Sequence, residues 1–326
     1  MAEITLIEGV TLALARAMEE DPSVVVLGED VGVNGGVFRA TAGLQQRFGD
    51  ERVLDTPLAE VMIAGMSVGM SAQGMKPVAE AQFCGFTMPM IDQIMCHAGR
   101  MRNRTRGRLS CPMVLRFPTG GGIHAPEHHS ESPEALFAHM PGVRVVVPSS
   151  PSRAYGLLLA AIRDPDPVIF MEPKRIYRWQ KEEVIDDGEE LPMDVCYTLR
   201  DGSDITLVTW GAMVKETLQA AEELAKRDVS AEVIDVATVS PLDMDTIIES
   251  VERTGRCVII QEAPRHCGVA GEIAAGLADS GIWHLLAPVK RVCGYDTVMP
   301  LYRNEMKYMP SVKRILDAVD QVLEVS

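Results

Sequence analysis

The sequence predicts an α/β fold built on parallel strands and divided into two successive domains. Three observations carry that expectation. Short continuous apolar runs recur along the chain, uncharged or amphipathic stretches of helical length lie between several of them, and 326 residues exceed what one small core needs. A run that is apolar throughout fits a strand buried on both faces, which requires helices on either side of a parallel sheet. The 47% apolar and 24% charged composition places the chain with globular proteins and excludes disordered or fibrous classes.

The elements follow in order. Thr5-Leu-Ile-Glu8 reads as a capping box, in which hydroxyl and carboxylate satisfy the free amides of a helix start, and the helix runs to about Glu20. Residues 24–27 form the first strand and stop abruptly at Gly28-Glu29-Asp30. Further buried strands are expected at 53–54, 78–79, 113–115, 143–147 and 168–170. Thr56-Pro57 predicts an N-cap and first helical position. The helix that follows over 61–70 is apolar on every face and is therefore expected to be buried. The acidic stretch 178–204, with Gly188, Pro192 and Gly202 and little periodicity, predicts the connection: a first domain over 1–185, a linker over 186–203 and a second domain over 204–326. Beyond it, strands at 205–209, 231–236, 257–261 and 289–293 alternate with helices at 213–227, 242–253 and 269–278, and a last helix starts near Ser311. Asp243 and Asp245 sit in one first turn, where the helix dipole favours anions.

Charge and cysteine usage narrow the function. Thirty-one basic against 46 acidic residues leave a net charge of −15, the wrong sign for a nucleic-acid binder. An acidic surface suits steering of a basic protein partner, and equally serves solubility alone. Seven scattered cysteines without a CxxC pair argue against a disulfide framework or a cysteine-rich zinc site. The uncharged stretch 61–75 is broken by Gly65, Gly69 and Gly74 and falls short of the ~20 apolar residues of a bilayer span. The start carries no secretory or transit pattern, so the expected location is the cytoplasm, or an organelle matrix after removal of a presequence.

Ligands of open α/β sheets bind beyond the carboxyl ends of the strands, which makes Glu29, Asp30, Glu60 and Gln82 the first candidates. Glu60 stands at the head of the apolar helix. It either complements the helix dipole or, held out of water, needs a proton, cation or donor. Thr119-Gly-Gly-Gly-Ile-His124 followed by His128-His129-Ser130 is a glycine-rich loop with three of the seven histidines. Its glycines and Pro126 oppose a helical zinc pair, and a loop histidine serves either as a proton carrier or as a hydrogen-bonded structural group. The alternating arginines from Arg100 to Arg108 read as an anion or partner contact, or as a solvated face. No GxGxxG or P-loop segment is present.

Many short segments in order resemble one family, almost end to end. They include Leu27-Gly-Glu-Asp-Val31, Gly35-Gly-Val-Phe-Arg39, Asp55-Thr-Pro-Leu-Ala-Glu60, Gln82-Phe83 with Asp92-Gln93, and His128-His-Ser-Glu-Ser132. Further along come Glu172-Pro-Lys-Arg175, Glu262-Ala-Pro264 and Gly294-Tyr-Asp-Thr297. The chain resembles the beta subunit of the decarboxylase (first) component of 2-oxoacid dehydrogenase complexes, the branched-chain 2-oxoacid and pyruvate dehydrogenase family.

The resemblance implies a thiamine-diphosphate-binding domain of the pyrimidine type followed by a transketolase C-terminal-like α/β domain. It puts the family's glutamate at Glu60, hydrogen-bonded to the cofactor's aminopyrimidine ring and sharing a proton with a ring nitrogen. Phe86 and Gln82 would line that pocket, with Glu29 nearby, and His129 would be an acid/base near the reacting carbon. Met113, Ala161, Ile162, Asp164 and Asp166 fall where some members hold K⁺; others have Asn where this chain has Asp166. The segment that holds Mg²⁺ and the diphosphate is missing here and belongs to the family's alpha subunit. The resemblance therefore implies half an active site, completed in a heterotetramer of two alpha and two beta chains. It also implies service to the lipoyl domain, and docking of the basic peripheral-subunit-binding domain, of an acyltransferase core. Residues 129–134, 172–175 and 291–295 favour branched-chain 2-oxo acids as substrate. Residues 121–124 and 295–298 favour the alternative, pyruvate. A non-catalytic scaffold subunit is the reading of another class.

Overall fold

The computed structural model describes residues 3–325. The chain divides into two compact units. One takes the chain up to Thr119 and again over Leu136–Met193; the other takes Gly120–Ala135 and the chain from Asp194 onward. Among the described residues no helix is long and apolar enough to cross a membrane.

The first unit contains β1 (Glu3–Ile4), α1 (Leu6–Glu20), β2 (Val24–Gly28), α2 (Leu44–Phe48), β3 (Val53–Asp55), α3 (Glu60–Ala72), β4 (Lys76–Glu80), α4 (Met101–Arg104) and β5 (Val114–Thr119). The short α5 (Glu134–Ala138) precedes β6 (Arg144–Val146), α6 (Pro151–Arg163), β7 (Val168–Pro173) and β8 (Glu182–Glu183). Within this unit six strands pair in the order β6-β7-β5-β4-β2-β3, all parallel. β2, β5 and β7 are buried along their whole length, as continuous apolar runs require of a sheet covered on both faces. α1 begins where the capping box places it, with the Thr5 amide donating to Glu8 Oε2 at 2.7 Å. It packs on α6, and Leu14, Leu157 and Leu158 are fully buried. Each such side chain contributes roughly 1.5–3 kcal/mol relative to exposure.

α3 corrects an expectation. Only Ile63, Ala64, Ser67 and Ser71 are buried, one stripe at helical spacing. Val61 and Met66 are 48% and 38% exposed, and Leu58 just ahead of the helix is 72% exposed. An all-apolar helix needs cover on every side, and this chain supplies cover on one. The alternating arginines lie on the surface, where Arg102 bonds the distant Asp166 and Arg104 and Arg108 bond the nearby Cys96 and Thr105 carbonyls.

The second unit contains β9 (Tyr197–Arg200), β10 (Ile205–Thr209), α7 (Val214–Ala225), β11 (Ala231–Asp235), β12 (Thr238–Ser240) and α8 (Met244–Thr254). After these come β13 (Cys257–Pro264), α9 (Val269–Ser280), β14 (Lys290–Gly294), α10 (Tyr302–Tyr308) and α11 (Val312–Leu323). Its five-stranded sheet runs β14-β13-β10-β11-β9, parallel except for β9. β9 lies in the stretch read as connection; its aperiodic sequence hides an antiparallel edge strand, none of whose residues is fully buried. Asp243 is the N-cap of α8, accepting from the Thr246 amide at 3.1 Å. All seven cysteines are free, and burial pushes the Cys257 thiol up to about 12.

Candidate active site

β2 lies between β3 and β4. The chain leaves β2 outward to β3, then returns through α3 to β4 on the other side. The carboxyl ends of β2 and β4 thus flank a topological switch, where open α/β sheets bind ligands. In register, Gly28 stands between Asp55 and Glu80. Glu29 directly follows β2, Glu60 is the first residue of α3, and Gln82 lies two residues beyond β4. All three are half-buried.

Local bonds shape this edge. The Asp55 carboxylate accepts from the amides of Gly32 at 2.6 Å and Val33 at 3.2 Å, holding the loop after β2. The Thr56 amide donates to the Gly28 carbonyl at 3.0 Å. That bond keeps the chain extended past Asp55, so the N-cap of α3 is Ala59 and not Thr56. Thr56 Oγ1 is buried without a protein partner, which in native structures calls for a water or ligand group. The Glu29 carboxyl is held above its ordinary value by burial first, then by the negative charges of Asp30 and Glu60. Two carboxyl groups therefore share one electrostatic field, one of them at a helix N-terminus.

An aromatic row supplies the apolar wall. Phe83 and Phe86 pack edge to face at 5.9 Å, Phe38 meets Phe83 at 5.6 Å, and Phe38 meets Tyr177 at 5.3 Å. Phe86 rides on the 3₁₀ turn Cys84–Met90, against which α3 packs, so the Glu60 helix and the aromatic turn are neighbours.

Beneath lies a buried network that no sequence motif announced. Arg116 of β5, 1% exposed, donates to Glu172 of β7 at 2.6 and 2.9 Å and to Glu80 of β4. Burial alone would lower the Arg116 guanidinium, but Glu172 and Glu80 outweigh it and keep it charged. Burial raises Glu80, with Arg116 opposing and Glu172 adding to the rise. The signal available in sequence was a charged residue inside each of three apolar strands.

His129 belongs to the second unit, in the 3₁₀ turn Glu127–His129. It is half-buried, its amide donates to Pro126 O at 2.9 Å, and its ring lies 6.3 Å from that of His128. The five residues expected near a monovalent cation come together at the end of α6. Ala161 and Ile162 lie in its last turn, Asp164 is its C-cap, and the Met113 carbonyl accepts from the Val168 amide at 3.0 Å. The carboxylates there face arginines, Asp164 to Arg144 at 2.9 Å and Asp166 to Arg102 at 2.7 Å.

Residues 2–180 match the family described as Transketolase, pyrimidine binding domain, and residues 195–315 match Transketolase, C-terminal domain. The chain is 48% identical to the pyruvate dehydrogenase E1 component subunit beta of Bacillus subtilis (strain 168), over 99% of its own length and 100% of that protein. It is equally similar, 48%, to the subunit of the same name from Acholeplasma laidlawii, over 97% and 96% of the two chains. The chain belongs to the beta-subunit family of 2-oxoacid dehydrogenase first components. A solved structure described as split gene transketolase, inactive beta4 tetramer, shares the fold with a TM-score of 0.81 at 23% identity over 99% of both chains. The family's two domain types follow in the expected order, and its first domain is of the thiamine-diphosphate type.

Proposed function

We propose that this chain is the beta half of a pyruvate dehydrogenase first component, holding the aminopyrimidine end of thiamine diphosphate and active only with an alpha subunit. The observation that carries the proposal is the switch-point edge. There a half-buried carboxylate at a helix head, a row of rings and an unpartnered buried hydroxyl suit a flat heterocycle edged with nitrogen donors and acceptors. The expectation of a branched-chain substrate gives way to its alternative, because the relatives compared are named for pyruvate. Thiamine diphosphate, when bound, supplies the electron sink that lets a 2-oxo acid lose CO₂.

The chain's own residues bind, orient and move protons. Glu60 takes a hydrogen bond from the ring and shares a proton with its nitrogen. Glu29 lies at the same edge, its carboxyl raised by burial first and then by the charges of Asp30 and Glu60. Phe86 and Gln82 line the ring's face and rim. His129 serves as acid/base near the reacting carbon, toward transfer to lipoyl. Mg²⁺ falls to the alpha subunit, and the carbonyls ending α6 are the proposed seat of K⁺, where the helix dipole is negative. The uncovered face of α3 supports a partner chain on that side; the proposed assembly is of two alpha and two beta chains, working in the cytoplasm.

The test is a steady-state comparison of pyruvate with 2-oxoisovalerate, using co-purified alpha and beta chains with cofactor. Pyruvate is expected to be preferred, and Glu60→Gln to lower decarboxylation by about 10²-fold or more. Full activity of Glu60→Gln would favour the scaffold reading.

A further inference from the structure

The glycine loop that leaves β5 is held by two carboxylates. Glu262 of β13 accepts from the Gly121 amide and, at 3.4 Å, from Ser132 Oγ, so one side chain ties both ends of the loop. Glu305 of α10 accepts from the Gly122 amide at 2.6 Å and the His124 amide at 2.9 Å, and lies 2.8 Å from His124 Nδ1. The loop closes on itself through the Gly120 amide and the Glu131 carbonyl at 2.8 Å.

Glu305 is fully buried and Glu262 is 8% exposed, and among the described residues neither pairs with a lysine or arginine. A carboxylate removed from water without a cation must be held by donors. Here the donors come from the loop itself: its amides, with Ser132 Oγ on Glu262 and His124 Nδ1 beside Glu305. The glycines permit the approach: a Cβ on Gly120, at φ +82°, would stand 2.7 Å from Glu262 Oε1, and one on Gly121 would stand 2.6 Å from Met299 Cε. Carboxylates and loop thus fix each other, and the same loop carries His129 five residues beyond His124.

We propose that Glu262 and Glu305 are positioning residues, which lock the Gly120–His124 turn and thereby place His129 for its acid/base step. The proposal rests on the reading of His129 as acid/base.

The test uses the assembled alpha–beta holoenzyme with Glu305→Gln, Glu262→Gln and His129→Ala. Gln keeps the size of each side chain but turns one acceptor into a donor facing the loop amides. Amide exchange in peptides spanning 120–132 is expected to quicken about tenfold in both Gln variants, with kcat for lipoyl acylation down about tenfold. The affinity for cofactor, held at the Glu60 edge, and the KM for pyruvate are expected to stay within about twofold. If a Gln variant fails to assemble, Gly120→Ala strikes the same clamp from the loop side and is expected to reproduce the effect. Wild-type exchange, or quickened exchange with wild-type kcat, overturns the proposal. A His129→Ala enzyme with wild-type kcat instead overturns the reading beneath it.

Discussion

Glu134 shows how one buried side chain writes a pH dependence into the protein. Burial, reinforced by the charge of Glu262, raises its carboxyl from 4.5 to about 7, although its own backbone amide and the Trp210 indole at 3.2 Å pull the other way. The folded chain therefore binds this proton more tightly than the unfolded chain. Its contribution is full below pH 4.5, declines as pH rises through that window, and is lost above about 7. Glu134→Gln is expected to flatten this decline, so that melting temperatures of wild type and variant diverge between about pH 5 and 8 in the variant's favour. Parallel melts at constant ionic strength check it; parallel curves would refute it. At this scale the candidate site was legible where a polar residue follows an apolar run, as for Glu29 and Gln82. Arg116, Glu172, Glu262 and Glu305 were not legible as a set, because nothing in sequence says which distant carboxylate a guanidinium or an amide will meet.

Among the elements, α3 carries the clearest tension between sequence and chain. Its apolar surface all round predicts burial, yet its Val61 and Met66 face is open. Met66→Glu is expected to leave the melting of the isolated beta chain within about 1 °C, since an exposed substitution costs little. It is expected to lower recovery of the alpha–beta assembly on size exclusion several-fold, because the new charge would have to be desolvated. Equal recovery would show that this face is not the alpha contact. Helix starts were legible where a side chain caps them, as Thr5 with Glu8 and Asp243 with Thr246 show. The start of α3 was not, because the Thr56 amide is drawn to the Gly28 carbonyl and delays the helix to Glu60.

Taken as a whole, the chain is acidic, at −15, and a basic docking domain of an acyltransferase core would meet it by long-range steering. Its association rate is expected to fall at least tenfold as salt rises from about 0.05 to 0.5 M, measured by stopped flow. A salt-independent rate would remove charge from the recognition. Periodicity and composition by themselves determined the α/β class, the parallel strands and the polar residues at their carboxyl ends, because burial on two faces leaves its mark in each local run. Only tertiary structure decided that β2 lies between β3 and β4, which brings Glu29, Glu60 and Gln82 to one edge. It also decided that Gly120–Ala135 belongs to the second unit, where two buried carboxylates hold it. Strand order and loop capture are contacts between residues far apart in sequence, and such contacts leave no periodic trace in the segments they join.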